Sequence, residues 1–344
     1  MSLSLSYKNV IVVFIILCSI LFLLSPVQTE IAYGHYIFPV IRVLLIPFSW
    51  IPFPVLYIFI AMLLYGIYKL FTSKQKIMKR LAWVGYAAAL FFFLFFLMWA
   101  YNYKRTDFAR RFPITLPKID SSSLAAEVKI SSDGLIKSRP LKKMDYKPTE
   151  IEDIIRPSIR KYCAKFNYSA PGNVRVKTLP AGTLLRIKTA GFYLPYAGEA
   201  YVDRGLHSIQ LPFTQAHEMC HGYGVTDEGA CNFIAYLATI NQSDSTVRYS
   251  GAMSYYRYVA GEYRYHFPRA YLQFRSQLPE EIQMDLDSIN KQMIKYPDIF
   301  PAFRDKVYDK YLTLLNVPGG MSSYDKIIDY VREARSIGLV LKND

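Results

Sequence analysis

The chain has 344 residues, of which 52% are hydrophobic and 20% are charged, and its mean hydropathy is +0.12. This composition excludes a disordered chain and is too apolar for an ordinary soluble protein. Four cysteines over this length exclude a disulfide-rich fold. The formal charge of +14 suits an anionic membrane surface better than nucleic acid, because no nucleic-acid-binding module is recognisable. The composition therefore predicts a membrane protein with the lipid bilayer as its partner.

Hydrophobic residues are concentrated in residues 1–106, which we interpret as a transmembrane region. A helix needs about 20 apolar residues to cross a bilayer. The predicted spans lie near residues 10–24, 51–71 and 82–101. The first of them is either an uncleaved anchor or a cleaved signal peptide. Residues 33–50 are apolar but are interrupted by Arg42 and Pro47, which favours an interfacial helix over a further span.

The basic residues of the short loops predict the orientation of these spans. Five of them cluster between the second and third spans: Lys69, Lys74, Lys76, Lys79 and Arg80. By the positive-inside rule this loop is cytoplasmic, and everything after Tyr101 lies outside. Four basic residues at 104–111 stand on the supposed outer side, but long domains translocate largely regardless of such charge.

From about Asp107 the composition becomes that of a globular domain. Residues 107–140, rich in serine near their centre, are interpreted as a linker or an irregular lead-in, and residues 141–344 as one domain. The patterns predict a helix over 149–166, then strands over 173–179, 183–189 and 198–203, with Pro157 kinking or restarting the helix. From Thr214 onward the pattern is almost entirely helical. A small sheet followed by a helical half is an α+β architecture.

One stretch carries a metal-binding pattern, His217-Glu218-x-x-His221. Residues four apart on a helix lie one turn above each other, so both imidazoles can meet one ion. Glu218 is rotated away from that face and can contact a metal-activated water as general base. Glu228, in the first turn of the next helix, can fold back as a third ligand. Asn232, one turn further, can hydrogen-bond a ligand.

Other interpretations of this stretch stay open. The pattern can arise by chance, in which case the two histidines lie on an ordinary amphipathic helix. Cys220 and Cys231 could complete a closed, inert His-His-Cys-Cys site, could form a disulfide, or could be buried small hydrophobic residues.

The motif with its glutamate and asparagine resembles the gluzincin branch of zinc metallopeptidases. The wider context is similar to a bacterial membrane-protein family of unknown function, in which N-terminal spans precede a zincin-like domain. That context includes Gly191-Phe-Tyr-Leu-Pro-Tyr, the stretch from Leu211 to Leu237 and the late Ser322-Ser-Tyr-Asp. The resemblance implies Zn²⁺ held by His217, His221 and Glu228, with Glu218 as the catalytic acid and base. The chain departs from many gluzincins in having Asn232 where they have aspartate.

The expected function is that of a zinc metallopeptidase, a hydrolase anchored in a bacterial cytoplasmic membrane with its catalytic domain outside. Candidates for an oxyanion-stabilising donor are Tyr255, Tyr256, His266 and Tyr324, and Gly198–Asp203 could pair with an extended peptide. The alternatives are a non-catalytic sensor or scaffold with a structural or vestigial metal, and a zinc hydrolase of a non-protein amide such as cell-wall peptide.

Overall fold

Three apolar helices begin the part of the chain that the computed structural model describes, which is residues 23–168, 171–299 and 326–340. They are α1 (Pro26–Trp50, with a π-helical stretch), α2 (Leu56–Thr72) and α3 (Ile77–Met98). Helices α1 and α3 are long and apolar enough to cross a membrane, whereas α2 has 17 residues. The prediction of about three spans is therefore not confirmed. Most of the first predicted span lies outside the described residues, and the predicted interfacial segment 33–50 belongs to α1.

Helices α2 and α3 expose their apolar side chains over most of their length. Neither helix contains a buried residue. The two helices are joined by a short turn, where Nη1 of Arg80 donates to the Leu70 carbonyl over 2.9 Å. Exposed apolar surface of this extent is rare on soluble monomers and is typical of surfaces that contact a membrane or another protein.

Helix α1 differs from α2 and α3 because one of its faces packs on the rest of the protein. Tyr33, Phe38 and Ile41 are buried on that face. Glu30, near the start of the helix, forms ion pairs with Arg105 and Arg111. The segment is thus held to the globular part by apolar contact and by charge.

The segment predicted to be a linker, residues 107–140, is instead folded into the core. It contains α4 (Phe108–Arg111) and α5 (Ser121–Ser138). Asp120 caps α5 by accepting from the backbone N–H of Ser123 over 2.8 Å. The apolar side of α5 packs on a later helix, and Leu135 is fully buried. The linker interpretation was wrong because the serines were read as loop residues, whereas several of them hydrogen-bond carbonyls of their own helix.

A small mixed sheet follows α6 (Pro148–Lys165), which runs through Pro157 as one helix, so the predicted restart does not occur. The strands are β1 (Arg175–Leu179), β2 (Gly191–Leu194) and β3 (Glu199–Asp203). Strand β3 is central, parallel to β1 and antiparallel to β2. The strand predicted over 183–189 is wrong: Leu185–Ile187 form a 3-10 turn, and the second strand starts later.

The remaining elements are helical, and the architecture is mostly helical with a small mixed sheet. The helices are α7 (Leu211–Gly222), α8 (Glu228–Ile240), α9 (Ser245–His266), α10 (Pro268–Ser276), α11 (Glu280–Ile294) and α12 (Lys326–Ser336). Every residue of α8 after Glu228 is buried, so this helix forms the centre of the core. Helices α7 and α8 pack against each other and bring their residues to one site.

Candidate metal centre

Helix α7 carries the histidines of the predicted motif and ends directly after them. His217, Glu218 and His221 lie in its last two turns. Gly224, with φ of +90°, supports the sharp turn that follows, since this left-handed conformation is unstrained only for glycine. Asp227 then caps α8 by accepting from the backbone N–H of Ala230 over 2.7 Å. The turn directs Glu228 back towards α7.

The side chains of His217, His221 and Glu228 converge. One potential ligand atom from each lies within 4.8 Å of the others. Oε2 of Glu228 is 3.1 Å from Nε2 of His217 and 3.7 Å from Nε2 of His221. Burial acts to raise the pKa of Glu228, but the two histidines lower it more, so the net pKa lies well below its usual range. The arrangement brings together two imidazole nitrogens and one carboxylate oxygen.

Hydrogen bonds on the far edge of each ring orient the two histidines. Nδ1 of His217 is 2.7 Å from Oδ1 of Asn232, and Nδ1 of His221 is 2.8 Å from the Val225 carbonyl. Since both partners are acceptors, each Nδ1 carries a proton, and Nε2 is the nitrogen of each ring that lies towards Glu228. This is the tautomer that a metal-binding histidine uses, fixed by the kind of outer contact found around metal ligands.

Glu218 is buried beside this group without being part of it. Its Oε2 atom has no hydrogen-bond partner among the described residues. Burial raises the pKa of Glu218, and the neighbouring histidines oppose that effect. A Cβ atom added at Gly191 would lie 2.7 Å from Cγ of Glu218 and 2.7 Å from the Tyr201 carbonyl oxygen. Strand β2 therefore approaches Glu218 as closely as it does because residue 191 has no side chain.

The cysteines next to the motif face away from the converging atoms. Sγ of Cys231 is 3.4 Å from Nδ1 of His221, on the opposite edge of the ring from Nε2. Burial raises the pKa of Cys231 to about 12, so its sulfur is a neutral thiol. Cys220 contacts Cys163 on α6, and all three thiols are free. The arrangement thus matches neither a His-His-Cys-Cys site nor a disulfide between Cys220 and Cys231.

A cavity of about 460 Å³ opens in front of His217 and Glu218. It is bounded by the segment leading into β2, by α7, by Asn232 of α8 and by α9. Its other lining residues are Lys188, Thr189, Ala190, Gly191, Gln210, Phe213, Thr214, Ser254, Arg257 and Tyr258. The volume is in the range of ordinary ligand sites in proteins.

Three of the four residues predicted to stabilise an oxyanion lie in the described part of the chain, and none of these three lines the cavity. The hydroxyl of Tyr255 donates to Glu127 over 2.6 Å, away from the site, and Tyr256 is buried. His266 is exposed and pairs with Glu262, while Tyr324 lies outside the described residues. Sequence reasoning missed Arg257 and Tyr258, which do line the cavity. No spacing signal links them to the motif, because they lie on a helix that begins far past it.

Comparison with known protein families gives one match. The model of a family described as "Protein of unknown function (DUF3810)" matches residues 33–332, which is most of the chain. The chain belongs to the DUF3810 family. No curated protein and no solved structure matches significantly. Membership in DUF3810 assigns no chemistry, so the reaction has to be argued from the residues of the site.

Proposed function

We propose that this protein is a membrane-anchored, zinc-dependent peptidase with His217, His221 and Glu228 as zinc ligands. The observation that carries the proposal is the convergence of these three side chains within 4.8 Å, next to the buried carboxylate of Glu218. Two histidines and one carboxylate are a donor set typical of catalytic zinc, which keeps a further position open. A closed structural site would not require Glu218, whose buried Oε2 atom has no hydrogen-bond partner among the described residues.

The roles of the residues follow from their positions. Zinc held by these three residues would supply Lewis acidity to a scissile carbonyl and would lower the pKa of water. Glu218 takes a proton from the attacking water and returns it to the leaving amine. Its pKa is raised and so lies closer to neutral pH, which suits a group that must both accept and donate a proton. Asn232 and the Val225 carbonyl hold the two imidazoles in the required tautomer.

A peptide substrate is supported by the position of β2. This strand is at the edge of the sheet, and its first residue, Gly191, lines the cavity. An extended chain adds to such an edge through main-chain hydrogen bonds, which explains how a peptide would lie across Glu218. The sequence analysis assigned that pairing to Gly198–Asp203, but β3 is fully buried at the centre of the sheet, so β2 replaces it.

Anchoring is supported by the exposed apolar lengths of α2 and α3 and by the basic loop between them. On this proposal the loop at residues 72–81 is cytoplasmic, and the cavity opens outside the cytoplasmic membrane of a bacterium.

The test uses the full chain in detergent or nanodiscs, with zinc measured by elemental analysis. Peptide hydrolysis is followed by mass spectrometry on a mixture of short peptides, with a cell-wall peptide as a second probe. We expect about one zinc per chain, and weaker retention in Glu228→Ala. Glu218→Gln keeps the zinc and loses about a hundredfold or more in rate, as expected for removal of a general base.

Glu262→Gln is the matched control, because Glu262 also pairs with a histidine but lies outside the cavity. Full activity in Glu218→Gln would contradict the role of Glu218. A folded chain that retains no zinc would favour a non-catalytic sensor or scaffold. Cleavage of only the cell-wall peptide would indicate a zinc hydrolase of a non-protein amide instead of a peptidase acting on proteins.

A further inference from the structure

Arg257 is a cation in the proposed catalytic cavity without a partner among the described residues. It lies on α9 and lines the same cavity as His217 and Glu218. Its side chain is half-buried, and it forms no hydrogen bond or ion pair with any residue that the structure describes. None of its nitrogens is fully enclosed, so the guanidinium is open to whatever fills the cavity.

Two other shielded arginines in the described parts of the chain are paired with carboxylates, and the buried Arg42 donates instead to the Tyr193 hydroxyl and the Gly198 carbonyl. Arg105 pairs with Glu30 at 2.7 Å, and Arg335 pairs with Glu127 at 2.8 Å. A charge removed from water is costly unless an opposite charge compensates it. The fold supplies a partner at those positions, whereas no residue that the structure describes pairs with Arg257.

Among the residues that the structure describes, the surroundings of Arg257 supply no compensating charge other than Glu218. Burial lowers the pKa of its guanidinium, while the phenols of Tyr258 and Tyr271 act in the opposite direction. Of the lining residues, Glu218 is acidic, and the proposed mechanism requires it for proton transfer. Lys188 adds a second, exposed cation. If Glu218 is left aside, the described residues that line the cavity therefore carry a net positive charge.

We propose that Arg257 binds a carboxylate of the substrate, so that the site selects peptides bearing a carboxylate close to the scissile bond. This inference rests on the proposed peptidase function and names its substrate class. Arginine suits the task because its planar fork binds a carboxylate through two parallel hydrogen bonds. The carboxylate comes either from a peptide C-terminus or from an acidic side chain, and these two sources are separable by experiment.

The test measures binding to the metal-free full chain, so that it does not depend on hydrolysis. Isothermal titration compares acetyl-Ala-Phe-Ala as free acid with its C-terminal amide, and acetyl-Ala-Glu-Ala-amide with acetyl-Ala-Gln-Ala-amide. We expect the carboxylate member of at least one pair to bind about tenfold to a hundredfold more tightly, as a charged hydrogen bond allows. The pair that shows the preference identifies the source of the carboxylate.

Two variants establish that Arg257 causes the preference. Arg257→Gln abolishes it while binding the neutral peptides as the parent does, and Arg257→Lys restores part of it. Arg269→Gln makes the same charge change at an exposed position of α10 and leaves the preference intact. Equal binding of acid and amide by the parent overturns the proposal, as does a preference that survives in Arg257→Gln. Carboxylate-selective binding without any hydrolysis supports the recognition role and counts against the peptidase.

Discussion

A single amide, that of Asn232, sets the orientation of one of the proposed zinc ligands. Its Oδ1 atom lies 2.7 Å from Nδ1 of His217, whereas its Nδ2 atom is buried without a partner among the described residues. An amide oxygen accepts this hydrogen bond more weakly than a carboxylate does. The residue therefore fixes the ring without adding a further negative charge to the site.

We expect Asn232→Leu to weaken zinc binding by about tenfold to a hundredfold, the usual effect of losing an outer partner of a ligating histidine. Asn232→Asp is expected to bind zinc at least as tightly as the parent. Competition with a chromogenic chelator measures both affinities. Asn241→Ala, which also loses hydrogen bonds but lies at the far end of α8, controls for general destabilisation. Unchanged affinity in Asn232→Leu would remove Asn232 from the site.

At the scale of elements, α5 shows that the globular core starts well before residue 141. The helix buries Leu135 and also Glu127, whose carboxylate accepts from Arg335 and from the hydroxyl of Tyr255. These contacts join α5 to α9 and α12. A segment whose composition resembles that of a linker is therefore part of the core.

Leu135→Ala is expected to lower the free energy of unfolding by about 2–5 kcal/mol, the usual cost of removing a buried leucine side chain. Its neighbour Ile136 is 39% exposed, so Ile136→Ala is the matched control and should cost much less. Thermal or denaturant unfolding of the solubilised chain measures the difference. Equal effects of the two substitutions would contradict the placement of α5 in the core.

The sequence predicted the elements whose signals are local. The position of Glu228 in the first turn of the next helix and its return towards the histidines follow from residues within a short stretch, as do β1 and β3. The prediction was wrong for α5, where serines that bond their own helix resemble a loop. It also missed Arg257 and the close approach of Gly191 to Glu218, since these depend on how distant elements pack.

At the scale of the whole molecule, the helical N-terminal region and the site share one core. The backbone N–H of Val55 donates to Oε2 of Glu199 over 3.1 Å, which ties the start of α2 to the central strand. Trp99, directly after α3, places its ring 5.7 Å from that of His221 in an edge-on arrangement. The surroundings of a proposed zinc ligand thus include a residue at the end of an apolar helix.

We expect a chain that begins at Asp107 to aggregate or to lose its zinc, because Trp99 and the ion-pair partner of Arg111 are then missing. Loss of one partner from a buried ion pair typically costs about 3–5 kcal/mol. A chain that begins at Leu23 keeps both contacts and serves as the control. Size-exclusion chromatography and zinc content distinguish the two, and a monomeric, zinc-loaded shorter chain would contradict the expectation.

The contact between Trp99 and His221 also limits where the proposed enzyme can act. An enzyme joined to its anchor by a long tether samples a range of heights above the bilayer. Here Trp99, at the end of α3, packs against the proposed zinc ligand His221. On the proposed anchoring, the cavity is therefore held at one height above the bilayer. If α2 and α3 lie in the bilayer as proposed, substrates must present their scissile bond at that height. Substrates would thus be selected by the position of their scissile bond relative to the bilayer as well as by their charge.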